Sequence, residues 1–121
     1  QDLAAELTSL PERYGPPHGA TMLAEQGDLL VGAVAYHDLG DGTCEMKRMY
    51  VKPAARGLRL GRLLAERLLE EARKSGYRMM KLDTETTFTA ATTLYRSLGF
   101  VECERYNDDP QPDTIWMRLK L

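Results

Sequence analysis

The chain reads as an α/β domain, a mixed central sheet flanked by helices, and three observations predict it. From Ala20 to Pro53, apolar residues fall in short strand-like runs joined by Gly- and Asp-rich links. After Pro53 the period lengthens to that of a helix, through Leu60, Leu63, Leu64, Leu68 and Ala72. Beyond that helix, strand and helix patterns alternate, which calls for strand–helix–strand units in one sheet. With 121 residues there is material for a single domain, 1–121, around one core.

Taken in order, Leu3 to Leu10 carries Leu3, Leu7 and Leu10 at helical spacing and reads as a short helix. A breaker-rich link comes next, Pro11 and then Tyr14-Gly15-Pro16-Pro17-His18-Gly19. Ala20 to Glu25 and Leu29 to Tyr36 read as strands joined at Gln26-Gly27-Asp28, and Asp38 to Gly42 as a second turn. Thr43 to Val51 is a third strand, stopped by Lys52-Pro53. The helix after it runs about four to five turns, with Glu66, Arg67, Glu70, Glu71, Arg73 and Lys74 on its solvent side. Ser75-Gly76 ends it. Arg78 to Thr84 is a compact strand. Thr86 or Thr87 is expected to cap a second helix that places Ala91, Leu94, Tyr95 and Leu98 on one face and closes at Gly99. Phe100 to Tyr106 and Thr114 to Leu121 are the final strands, giving the order α, β, β, β, α, β, α, β, β.

Charge and composition remove several function classes. Sixteen Lys and Arg against eighteen Asp and Glu leave a net charge of −2, no global field for holding nucleic acid. No apolar run approaches a membrane span, so no membrane partner is expected. The two cysteines, Cys44 and Cys103, lack any metal-ligand spacing and read as small hydrophobes in a reducing cytoplasm; no metal is expected. The histidines, His18 and His37, read as solvated loop residues. The chain opens with Gln1, which fits a processed or trimmed start, or a fragment.

The informative stretch is Met49 to Leu64, where a strand runs through a tight, glycine-containing turn straight into an amphipathic helix. That geometry presents backbone N–H groups and the positive end of a helix dipole to an anion. Arg56, Arg59 and Arg62 add three positive charges around the turn, which suits a pyrophosphate. There is no GK[ST] and no G-x-G-x-x-G, so neither a nucleotide-hydrolysing loop nor a dinucleotide fingerprint is present.

On these residues the sequence resembles the GNAT N-acetyltransferase superfamily. Arg56-Gly57-Leu58-Arg59-Leu60-Gly61 resembles its [QR]-x-x-G-x-[GA] acetyl-CoA signature, Met49-Tyr50-Val51-x-Pro53 its fourth strand, and Leu94 to Phe100 (LYRSLGF) its LYxxLGF segment. The resemblance covers roughly Ala20 to Leu121. It departs in three places. Arg59 replaces the first glycine of the signature, with a negative φ expected at that helix start. Phe88 stands where the family often carries Asn, and the family's first strand and helix are truncated or missing.

The resemblance implies a GNAT-like fold and an enzyme that moves an acetyl group from acetyl-CoA, its cosubstrate, to a primary amine by direct attack in a ternary complex. It implies cofactor contacts from Met49, Tyr50, Val51, Arg56, Gly57, Leu58, Arg59, Leu60, Gly61, Arg62, Ala91 and Tyr95. A bulge in the strand ending at Val51 would splay two central strands, with the N–H of Val51 or its neighbour donating to the developing oxyanion. Tyr95 matches the general acid and Glu45 the glutamate base. Each has an ordinary alternative: Tyr95 as a core aromatic, and Glu45, beside Lys47 and Arg48, as one half of a cross-strand ion pair. Asp83 and Glu85, and the run Tyr106-Asn107-Asp108-Asp109, lie where the acceptor side is expected; helix-start charge compensation and a polar hairpin loop are the alternatives. The leading acceptor is a small-molecule or amino-acid-like amine. Protein N-terminal or lysine acetylation and a non-catalytic acyl-CoA-binding module stay open, as does a homodimer, the family's frequent state.

Overall fold

In the computed structural model, which describes residues 5–10, 19–53, 59–109 and 111–121 and side chains outside 5–10 and 48, nine elements succeed one another. They are β1 (Ala5–Leu10), β2 (Gly19–Gln26), β3 (Leu29–Gly40), β4 (Thr43–Val51), α1 (Leu60–Lys74), β5 (Met79–Glu85), α2 (Thr89–Ser97), β6 (Val101–Cys103) and β7 (Thr114–Lys120). The seven strands form one mixed sheet in the order β1-β2-β3-β4-β5-β7-β6. Among the described strands only the β4–β5 pairing is parallel.

The first element corrects the sequence reading. Ala5–Leu10 is a strand, paired antiparallel with β2 from Ala5↔Gln26 to Leu10↔Thr21. A short amphipathic segment cannot hold a helix by propensity alone, and pairing with a neighbouring strand satisfies its backbone groups instead. β3 also runs on to Gly40, so His37 lies in a strand rather than a loop. The second helix starts later than expected: its N-cap is Phe88, with no side-chain cap, and not Thr86 or Thr87. The strand read as Phe100 to Tyr106 is only Val101–Cys103, and the backbone leaves the ladder at Glu104.

The crossovers from β4 to β5 through α1 and from β5 to β6 through α2 step the same way across the sheet, which sets both helices on one face. There α1 buries Leu60, Leu64, Ala65, Leu68, Leu69 and Ala72, whereas Leu63, assigned to this stripe from its spacing, points out and is 47% exposed. The core continues through Val34, Tyr36, Cys44, Met46, Met80, Leu82, Tyr95, Phe100 and Met117. Close approach of α1 to the sheet depends on Gly32. A Cβ there would stand 2.9 Å from Leu64 Cδ1 and 3.1 Å from the Tyr50 carbonyl oxygen.

The β3–β4 register shifts between Ala33↔Tyr50 and Ala35↔Lys47, placing an extra residue in β4. Before the bulge Cys44 and Met46 face the core; after it Met49 and Val51 do, reversing the parity that simple alternation gives. Glu45 and Lys47 are left on the opposite face. The β4–β5 ladder spans only Thr43↔Met79 to Glu45↔Lys81, although both strands continue. They splay, and the opening between them is the site.

Candidate active site

Two cavities meet at this splay. One, of about 670 Å³, lies on the helix face between the end of β4, the start of α1 and the flank of α2. Met49, Tyr50, Val51, Arg59, Leu60, Gly61, Ala91 and Tyr95 line it, eight of the residues named from sequence, together with Phe88, Thr89, Ala90 and Leu94. The other, of about 300 Å³, runs from Met46, Leu82 and Thr84 on the core side through the splay to the opposite face, where Lys47, Asp83, Glu85 and Asp109 line it. Met49, Phe88, Ala91 and Tyr95 belong to both.

Arg56, Gly57 and Leu58, the start of the anticipated phosphate turn, lie outside the described residues. The end of the turn is described, and it corrects one expectation. Arg59 caps α1 in the left-handed region, φ 60° and ψ 22°, instead of at negative φ. Holding a residue with a Cβ there costs about 1–2 kcal/mol, so position 59 holds the conformation that glycine favours without being glycine. The first turn of α1 has no acidic residue and no side-chain cap, so nothing within the helix neutralises its positive end. Gly61 leaves room: a Cβ there would meet only Leu94 and Val51 side chains, each at 3.7 Å. Arg62 is turned elsewhere. Its guanidinium bonds Glu66 at 3.1 Å and Ser97 Oγ at 2.8 Å, and it does not line the cleft.

A diphosphate and an extended arm need an uncompensated helix start and a slot beside a strand edge. The described residues supply both, so this cleft fits acetyl-CoA. Tyr95 stands where the two cavities join. Its ring packs edge-on to Phe100 at 5.9 Å between centroids, it is 6% exposed, and burial pushes its phenol up to about 12. A phenol so shifted stays protonated at neutral pH.

Glu45 is 4% exposed and lines neither cavity. Its Oε1 meets His37 Nε2 at 3.0 Å, across the strand pair. Its Oε2 accepts the Tyr106 hydroxyl at 2.5 Å and an Asn107 Nδ2 hydrogen at 3.4 Å, with Lys47 Nζ at 3.5 Å. Burial, and then the bond to Glu45, push the Tyr106 phenol far above its ordinary range. In this four-partner network the cross-strand partner of Glu45 is His37, whereas Lys47 reaches it from two residues along the same strand.

Two of these partners come from the segment between β6 and β7. Tyr106 lies over Lys81, with Nζ 5.2 Å from the ring centre. Asn107 donates to Asp83 Oδ2 at 2.7 Å and accepts from Trp116 Nε1 at 2.8 Å and from the Asp109 amide at 3.2 Å. The segment read as a polar hairpin loop thus ties three strands together. Its aromatic, amide and carboxylate run is the available signal; Trp116 is the partner that sequence reasoning misses. Among the described residues no His, Cys, Asp and Glu cluster forms a metal site, and no helix is long and apolar enough to cross a membrane.

The sequence model of the acetyltransferase (GNAT) family matches residues 2–100, taking in β1 ahead of the Ala20 start read from the motifs. The chain is 44% identical over 124 residues to an uncharacterized N-acetyltransferase of Schizosaccharomyces pombe, covering 100% of this chain and 76% of that relative. A putative acyl-CoA N-acyltransferase from Klebsiella pneumoniae shares the fold, with a TM-score of 0.87 at 23% identity over 99% of both chains. A putative acetyltransferase from Salmonella typhimurium, solved with its cofactor acetyl-CoA, has a TM-score of 0.71 at 29% identity over 84% of this chain and 64% of that one.

Proposed function

The chain belongs to the acetyltransferase (GNAT) family and is an acetyl-CoA-dependent N-acetyltransferase, and on that premise we propose that its acceptor is the primary amine of a small, amino-acid-like molecule. One observation carries this reading. The cleft on the helix face and the cavity on the opposite face join at Tyr95, so two reactants approaching from opposite sides of the sheet would meet there. The acceptor-side cavity, about 300 Å³, matches a small molecule better than a polypeptide segment.

Acetyl-CoA, when bound, supplies the thioester. Gly61, the first amides of α1 and Arg59 would hold its diphosphate. Met49 to Val51 would guide the arm along the strand edge, with Ala91 and Tyr95 on the far wall. Tyr95 keeps a proton on its phenol oxygen at the junction, where a leaving thiolate would take it. Glu45 enters the proposal as the anionic centre behind the acceptor cavity; with both oxygens engaged, it would receive a proton only through a relay.

The test is thiol release from acetyl-CoA over an amine panel of 2-phenylethylamine, putrescine, L-methionine, L-lysine and a peptide with a free N-terminus. Release with a free small amine supports the reading. Release with the peptide alone replaces it by protein acetylation. Binding of acetyl-CoA without release on any amine replaces it by a non-catalytic module.

A further inference from the structure

The carboxylate that the acceptor's amine would meet is not Glu45, matched to the base from sequence, but Asp83, which sequence placed only on the acceptor side. Of the buried acidic network, Asp83 lines the cavity and Glu45 does not. Asp83 Oδ2 is held by Asn107 Nδ2 at 2.7 Å and lies 3.9 Å from Lys47 Nζ. The orientation of the Asn107 amide is fixed from its other end, because its oxygen accepts both Trp116 Nε1 and the Asp109 amide. The Asn107 NH₂ is therefore turned toward the carboxylates and cannot flip without losing both bonds. Tyr106 and Lys47 engage Glu45 Oε2, and Glu45 does not line the opening.

We infer that Asp83 is the group that receives the acceptor's ammonium and takes its first proton, and that Asn107 is the positioning residue that aims it. The inference rests on the acetyltransferase reading above. Lys47 balances part of the charge on Asp83, while Glu85 on the same strand and Asp109 from the loop keep the cavity wall net negative. The groups that face Asp83 are Lys47 from β4, Tyr106, Asn107 and Asp109 from the loop, and Trp116 from β7, while Glu45 shares Lys47 and Asn107 with it. Such a wall selects a cationic amine over a neutral or anionic acceptor.

The protons balance. An ammonium loses its first proton to Asp83, which passes it to solvent. The neutral nitrogen forms its bond to the acyl carbon as the carbon–sulfur bond breaks. The sulfur takes the Tyr95 proton, and the second proton shed by nitrogen restores Tyr95. The sum is ammonium plus thioester giving amide, thiol and one free proton.

A built-in reporter allows a test without turnover. Trp116 is the only tryptophan and donates to Asn107, one bond from Asp83. Wild type, Asp83→Asn, Asn107→Ala and Glu45→Gln are titrated with the best acceptor of the panel in the presence of free CoA, with Trp116 emission as the signal. The same proteins are then assayed for kcat and KM from pH 6.5 to 9.5, with thermal melts and acetyl-CoA affinity as fold controls. Asp83→Asn should abolish the saturable emission change and lower kcat/KM by about 100-fold at pH 7. That deficit should shrink about tenfold per pH unit, because without its base the site must capture neutral amine, whose share rises that steeply below an amine pKa of about 9–10. Asn107→Ala should raise KM for the amine more than it lowers kcat. Glu45→Gln should give a deficit that does not change with pH. An emission change retained in folded Asp83→Asn with the wild-type midpoint, or a pH-dependent deficit found in Glu45→Gln instead, overturns the inference while leaving the acetyltransferase reading intact. A wild type that binds acetyl-CoA but acetylates nothing overturns that reading and the inference with it.

Discussion

Tyr106 and Glu45 are 61 positions apart in the chain, yet the phenol donates to Glu45 Oε2 at 2.5 Å beneath the sheet. A carboxylate on a strand in the middle of the sheet is buried there at the expense of its hydration, and the loop after β6 restores what is lost. Because the acceptor is charged, this bond is among the stronger kind, so Tyr106→Phe should destabilise the fold by about 1.5–3 kcal/mol. Urea unfolding measures it. A change below about 0.5 kcal/mol would mean that His37, Lys47 and Asn107 satisfy Glu45 by themselves.

Gly61 gives the site a two-way test. A methyl group at that position makes only ordinary contacts with Leu94 and Val51, so Gly61→Ala should gain up to about 1 kcal/mol from helix propensity. Gly61→Asp puts a carboxylate in the first turn, which favours the helix but opposes a diphosphate. Acetyl-CoA affinity should fall by about tenfold or more in the aspartate variant, with its melting temperature unchanged or raised. Equal affinity in both variants would remove the helix start from the cofactor site.

Tyr95→Phe should lower kcat by about 100-fold or more with little change in acetyl-CoA affinity. In the wild type, the Tyr95 pKa of about 12 keeps the acid protonated, so kcat should show no falling limb from this group below pH 10. The stability linkage has the same sign. The folded-state pKa lies above the unfolded value of about 10, so this group's contribution is complete below pH 10 and is lost as pH rises toward 12. Removing the hydroxyl should move the alkaline unfolding midpoint upward. An unchanged kcat would return Tyr95 to the core-aromatic role.

Much of this was legible locally and some could not be. The period of α1 placed Leu60, Leu64, Leu68 and Ala72 correctly, because a long amphipathic helix carries its own signal. Leu63 was misplaced since the buried stripe turns toward Ala65 and Leu69 instead. Ala5–Leu10 was misread because two leucines in six residues are too few to establish a period, and the deciding term, pairing with β2, is non-local. At the site, the Leu60–Gly61 helix start and Tyr95 came from contiguous motifs. The Glu45–Tyr106 and Asp83–Asn107 bonds join residues 61 and 24 apart, and no spacing rule reaches them.

Gly32→Ala should cost about 1–3 kcal/mol by overpacking. The added methyl would press on Leu64, Leu60 and the backbone oxygen of Tyr50 at 3.2 Å or less. That oxygen belongs to the strand edge of the cleft, so weaker acetyl-CoA binding should accompany the lower stability. A neutral substitution would mean that α1 moves away freely.

The thiols differ in a way that matters for any thiol-based assay. Cys44 is fully buried, and burial, with Asp38 nearby, pushes its thiol up to about 12; only about one in ten thousand would be thiolate at pH 8. Cys103 is half-buried, its thiol raised by burial but held back by Lys81 and Arg118. Folded protein should release one equivalent with a disulfide reagent and a second only on unfolding. Two rapid equivalents would contradict the buried placement of Cys44.

The most direct trial of the central claim is an amide NMR titration with acetyl-CoA. Saturable shifts should concentrate at Val51, Arg59, Leu60, Gly61, Thr89 and Ala91, with β1 and β6 left unmoved. Saturation with those six amides unshifted, and shifts gathered on another face, would contradict the placement of the coenzyme in the opening between β4 and β5.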